Sequence, residues 1–291
     1  MKLVRFTAGE SLTLGVYLEE TEEVVELEVG GVGRGSIVSN SMSAFLKSGD
    51  VGMALAKAAV AKSATNRRFL LSAVRLLAPV GDPGKIICVG QNYRDHCAEQ
   101  NLPIPESAVI FSKYSTALND PDGVISLPKV TKKADYEAEF AFVIGKKGKD
   151  ILESEAMDYV AGYMCANDIS ARDIQFADKQ WVRGKTPDGF FPIGPFLVTK
   201  DEIADPHNLP ISLKLNGKIM QSSNTSNLVF NVPFLIAYLS QTMTLLPGDI
   251  ITTGTPGGVG VFRDPPIFLK SGDTLEVAIE GLGTLRNTVS D

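Results

Sequence analysis

The chain has 291 residues, 44% apolar and 21% charged, a composition that suits a globular protein with a large buried core. Its 28 basic against 34 acidic residues give a net charge of −6, which argues against a nucleic-acid partner. No apolar stretch approaches the ~18 residues that span a bilayer, so no membrane contact is expected.

Residues 1–80 read as a small α/β leading region. Leu3–Phe6, Ser11–Tyr17 and Glu23–Val29 alternate as short strands, and Val51–Ala64 has the pattern of a helix. Met1–Phe6 is too short in its apolar part for a signal peptide. Cys88, Cys97 and Cys165 form no C-x-x-C pair and are expected to stay reduced, in the cytoplasm or the mitochondrial matrix. The turn cluster Val80–Gly84 marks a boundary, with residues 81–291 as the main domain.

Ile86–Gly90 reads as a buried strand that delivers the chain to a helix start at Gln91–Glu99. His96 and Glu99 are three apart and share a helical face. Such a pair either orients an imidazole for acid–base work or is a surface ion pair. With His207 as the second of two histidines, a His-rich metal centre is excluded by counting. Lys113, after the strand Val109–Ser112, meets an anionic substrate or caps a strand end in water.

Asp135–Glu139 leads into the apolar run Phe140–Ile144. Strand alternation places Glu137 and Glu139 on one face, about 6.5–7 Å apart at their Cα atoms. Two carboxylates that close call for a cation, and a hard divalent ion such as Mg²⁺, Mn²⁺ or Ca²⁺ suits them. The alternative is a solvated edge-strand face. Ser154–Asp158 follows as an acidic helix, and Tyr159–Ala166 as a strand that ends at Asp168.

Asp168 or Ser170 is placed to cap a helix over Ala171–Ala177. On that helix Arg172 and Gln175 present a guanidinium and an amide on one face, suited to a carboxylate, or else a surface charge without a partner. Trp181–Pro192 is aromatic, rich in Gly and Pro, and expected to be irregular. Lys185 within it is either solvated or, beside apolar rings and a metal, lowered in pKa and able to move a proton. Ile211–Met220 is a hairpin turning at Asn216-Gly217, Pro233 opens an apolar helix, and Thr274–Glu280 with Thr284–Val289 forms the last hairpin. Gly254–Gly260 is glycine-rich without the features of a P-loop or a dinucleotide fingerprint.

Several of these stretches together resemble the fumarylacetoacetate hydrolase family from about Lys85 to the C-terminus. They are Val89–Tyr93 with Asp95-His96, Asp135–Glu139, Asn167–Asp173, Gly184–Thr186, Pro192–Pro195 and Thr253–Gly260. The resemblance implies a mixed α+β fold, with a β-roll or sandwich catalytic domain behind the small N-terminal region, and a homodimer. It implies Glu137, Glu139 and Asp168 as ligands of Mg²⁺ or Mn²⁺, and His96, Glu99 and Lys185 as catalytic residues. It assigns Asn92, Tyr93, Lys113, Arg172, Gln175, Gly254 and Thr255 to substrate binding. The chain lacks the longer N-terminal domain and extra acidic ligand of fumarylacetoacetase itself, which points away from that hydrolysis. The implied chemistry is that of small 2-oxoacids through a metal-stabilised enolate, with oxaloacetate keto–enol tautomerisation first. C–C hydrolysis of acylpyruvates or fumarylpyruvate and oxaloacetate decarboxylation are the alternatives, and a non-catalytic metal- or partner-binding protein on the same fold is the reading from another class.

Overall fold

A computed structural model describes residues 1–27, 40–61 and 67–291. The strand Ala138–Ile144 lies at the centre, with all seven residues buried. Alternation sends Ala138, Phe140, Phe142 and Ile144 into one hydrophobic core and Ala141 and Val143 into another on the opposite face. The continuous apolar run follows: a strand covered on both sides has no solvent face to make polar.

This acidic strand pairs antiparallel with Val160–Asn167 on one side and Ile250–Thr252 on the other. Ile250–Thr252 in turn runs parallel to Ile86–Gly90. These directions bring the start of the acidic strand and the ends of its three neighbours to one edge of the sheet. There the chain turns into loops and short helices, free to carry polar side chains.

Among the described residues the main sheet has 12 strands. A second sheet of five packs across it, with Lys218–Asn224 at one margin and Val124–Ser126 at the other. Leu213 and Val277 of the second sheet share one core with Phe140, Phe142 and Tyr163 of the first. The mixed α+β sandwich expected from the sequence is the architecture found. The leading strand Lys2–Ala8 lies in the main sheet beside Phe191–Thr199, with Leu3 opposite Leu197.

The turn at Asn216-Gly217 has both residues at positive φ, 51° and 76°, as a tight hairpin requires. Asn231 caps the helix Val232–Ser240, with Pro233 in its first turn. Several local expectations fail. The acidic segment is a 3₁₀ helix, Glu153–Tyr159. Val182–Lys185 forms a short α-helix where an irregular loop was expected. A helix at Met42–Lys47, capped by Ser41, was not anticipated. Two others are met as far as the described residues go: the strand expected over Glu23–Val29 is Glu23–Glu26 and the helix expected over Val51–Ala64 is Asp50–Ala61, with residues 28–29 and 62–64 outside those described.

Candidate active site

Glu137 immediately precedes the acidic strand and Glu139 is its second residue. The Glu137 backbone N–H donates to the Asn167 side chain at 3.0 Å, and the Asp168 N–H to the Glu137 carbonyl at 2.9 Å. Those two bonds register Asp168 beside both glutamates. All three carboxylates are buried, and each offers a ligand atom within 4.8 Å of the others.

Three cations surround them. Lys113 Nζ lies 2.6 Å from Asp168 Oδ1, and Lys185 Nζ lies 2.6 Å from Glu137 Oε2 and 2.9 Å from Asp168 Oδ2. Arg172 reaches Asp135 through Nε at 2.9 Å and Glu137 through a terminal nitrogen at 2.7 Å. Four buried carboxylates, Asp135, Glu137, Glu139 and Asp168, therefore face three cations. Glu139 is the one without a cation at contact distance; its carboxylate accepts the Gly254 N–H at 3.2 Å, and the Thr252 side chain also faces it.

The imbalance shows in the acidities. Burial, with Asp168 and Glu137 nearby, pushes the Glu139 carboxyl well above the usual range. Glu137 suffers the same burial, yet Lys185 and Arg172 hold its carboxyl below that range. A buried carboxylate short of one positive charge, inside an all-oxygen donor set, fits a hard divalent ion. The solvated-face alternative is excluded by burial.

Lys185 departs from expectation. Burial favours its neutral amine, but Asp168 and Glu137 outweigh that and raise its pKa, so it stays an ammonium and a donor. The helix Arg172–Ala177 carries no side-chain cap: Ser170 Oγ donates to the Asp168 carbonyl, and the Asp168 carboxylate is taken by the two lysines.

Above the acidic floor lies a cavity of about 170 Å³. Its lining includes Glu137, Glu139, Arg172, Gln175, Lys185, His96 and Thr255, closed by the rings of Phe111, Trp181 and Phe262. His96 is buried, its Nδ1 lying 2.6 Å from Glu99 Oε1, while Glu99 Oε2 accepts the Gly258 N–H at 2.7 Å. Nδ1–H donating to the carboxylate leaves Nε2 as the basic nitrogen. His96 is thus built into the cavity wall, and Glu99 behind it ties the pair to the glycine-rich loop.

Four expected substrate contacts sit elsewhere. Asn92 spends its amide on the Phe230 and Thr253 carbonyls and the Phe230 N–H, so it braces the loop. Tyr93 is fully buried in the hydrophobic core, Lys113 is held by Asp168 and the Ile169 carbonyl, and Gly254 stands behind Glu139. None of the four lines the cavity. Arg172 does: its Nε donates to Asp135 and one terminal nitrogen to Gln175, while the other lies 2.7 Å from Glu137 without a hydrogen bond of its own.

Two residues escaped sequence reasoning. Asp135 accepts the Gly260 and Val261 N–H groups as well as Arg172. Its signal was present: the alternation that pairs Glu137 with Glu139 also includes Asp135. Gln221, on the strand Lys218–Asn224, is buried against the Gly254–Pro256 turn. Nothing in its own segment announces this.

The chain is similar to proteins of recorded kind. Residues 85–290 match the family described as fumarylacetoacetate (FAA) hydrolase C-terminal. The chain is 46% identical to "Oxaloacetate tautomerase fahd2, mitochondrial" of Xenopus laevis over 99% of its own length and 90% of that protein's. It is 49% identical to "Oxaloacetate tautomerase FAHD2A, mitochondrial" of Homo sapiens, over 86% and 79%. Among solved structures it resembles a fumarylacetoacetate hydrolase from Exiguobacterium antarcticum, with TM-score 0.85, 33% identity, and 100% and 99% of the two chains covered. It also resembles a maleylpyruvate hydrolase from Sphingobium sp. SYK-6 in complex with manganese(II) and pyruvate, with TM-score 0.81, 30% identity, and 100% and 99% covered.

Proposed function

As the chain belongs to the fumarylacetoacetate hydrolase family, we propose that it is an oxaloacetate keto–enol tautomerase working with Mg²⁺ or Mn²⁺ at the acidic cleft. The observation that carries the reading is Glu139, a buried carboxylate short of a cation on the floor of a small cavity lined by His96, which Glu99 holds from behind. Likeness to oxaloacetate tautomerases of Xenopus laevis and Homo sapiens supports the substrate.

Glu137, Glu139 and Asp168 would hold the ion. When bound, a divalent ion supplies Lewis acidity that draws negative charge toward the oxygens of a 2-oxoacid. His96 Nε2 takes a proton from C3 of the keto form, with Glu99 steadying the imidazolium. The C3–H electron pair becomes the C2–C3 double bond, and the C2 carbonyl pair moves to oxygen, which receives the proton back from the His96 imidazolium. The reverse sequence returns the ketone, so atoms and charge balance with no co-reactant. Lys185, in contact with two of these carboxylates, would present a donor beside the substrate. Phe111, Trp181 and Phe262 supply the apolar part of the cavity lining.

Likeness to a maleylpyruvate hydrolase keeps C–C hydrolysis as the second reading. A panel of oxaloacetate, acetylpyruvate and fumarylpyruvate, followed by ultraviolet absorbance with Mg²⁺, separates the two. Faster enol–ketone exchange of oxaloacetate with no cleavage products supports tautomerisation; cleavage of the acylpyruvates overturns it. A homodimer and a mitochondrial location, the latter that of the Xenopus laevis relative, belong to the same reading. Sedimentation and cell fractionation check them.

A further inference from the structure

We infer that Gln221 is a positioning residue that fixes the Thr255 hydroxyl as a hydrogen-bond donor into the cavity. The inference deepens the proposed function, since it concerns how an anionic 2-oxoacid is held in that cleft. Gln221 is 1% exposed and Thr255 3%. The Gln221 Oε1 accepts the Ala138 backbone N–H at 2.8 Å, and Nε2 donates to the Pro256 carbonyl at 2.8 Å and to Thr255 Oγ1 at 2.8 Å.

The orientation of this amide is unambiguous. A backbone N–H can only donate and a carbonyl can only accept, so oxygen must face Ala138 and nitrogen must face Pro256. The second Nε2 hydrogen then occupies a lone pair of Thr255 Oγ1. The hydroxyl cannot donate back along that bond, and its own proton finds no acceptor among the described residues. Thr255 lines the cavity beside Glu137, Glu139 and His96. A buried donor without an acceptor there calls for a ligand oxygen, most strongly an anionic one. Ala138 lies between Glu137 and Glu139, so one side chain also sets the spacing between the acidic cluster and this donor.

The test is oxalate, a small dianion resembling the 2-oxoacid end, titrated by calorimetry into the Mg²⁺-loaded full chain. Gln221→Met frees the Thr255 hydroxyl to turn toward the Pro256 carbonyl and should weaken oxalate binding about 10-fold, on the scale of one hydrogen bond to a charged group. Thr255→Val should do the same, and the double variant should be no weaker than either single one. Oxalate binding unchanged in Gln221→Met at an unchanged melting temperature overturns the inference, as do losses that multiply in the double variant. If Gln221→Met does not fold, Thr255→Ser retaining affinity while Thr255→Val loses it supports the donor; Thr255→Val binding like wild type refutes it. Because binding is read without turnover, a wild type inactive on oxaloacetate defeats the tautomerase reading alone.

Discussion

At the level of single residues, the acidic cluster is one positive charge short. Asp135, Glu137 and Asp168 each touch a cation, while Glu139 does not. Glu139→Gln should therefore raise the melting temperature of the metal-free protein, because it removes a carboxylate crowded by Glu137 and Asp168. The same variant should lose the further rise that Mg²⁺ or Mn²⁺ gives the wild type, since bound metal stabilises only the state that holds it. Thermal scans with and without metal decide the matter, and a wild-type metal shift in the variant would refute the ligand role. Arg172 behaves oppositely. Arg172→Met strands Asp135 and Glu137 without their guanidinium, at a cost of about 3–5 kcal/mol in stability by urea unfolding. A stable variant with only a raised KM would restore Arg172 to the substrate-clamp role read from its helical spacing. His96→Ala should lower kcat roughly 10²–10⁴-fold while metal affinity is kept, as loss of an acid–base group does; equal loss of both would make His96 structural.

At the level of elements, the acidic strand and its neighbours were readable because period-two alternation and continuous burial leave strong marks. Glu137 and Glu139 followed from alternation, and the His96–Glu99 pair from helical spacing. Bracing was harder to see. Asn92 and Gln221 satisfy backbone groups of segments more than 30 residues away, and no local pattern encodes that. Lys185 meets two carboxylates that come from other elements, and no local pattern encodes that either. The glycine-rich turn shows what such bracing requires. Gly254 has φ +87°, and a Cβ there would meet the Val89 carbonyl oxygen at 2.8 Å and Asn92 Cβ at 3.2 Å. Gly254→Ala should destabilise by roughly 1–3 kcal/mol from backbone strain alone and displace the N–H that Glu139 accepts. A crystal structure of the variant with an unmoved turn, or an unchanged melting temperature, would contradict this.

At the level of the molecule, four strands of one sheet bring their ends together, and that convergence makes a site from residues 96 to 255 possible. The leading strand Lys2–Ala8 extends the same sheet, hydrogen-bonded beside Phe191–Thr199. We propose residues 1–80 as a structural extension of the catalytic unit; a chain beginning at residue 81 should then expose the apolar edge of Phe191–Thr199 and aggregate. Such a long-range pairing has no signature in the first 80 residues, whereas the family motifs after Lys85 are compact enough to read directly. The central claim is that one buried carboxylate cluster, completed by a divalent ion, interconverts the tautomers of oxaloacetate. Stopped-flow absorbance of enol-oxaloacetate tests it, with wild type and Glu139→Gln each measured in Mg²⁺ and again after excess chelator. The account predicts fast decay for wild type in Mg²⁺ and the uncatalysed rate in the other three traces; fast decay in the chelated wild type or in Glu139→Gln would contradict it.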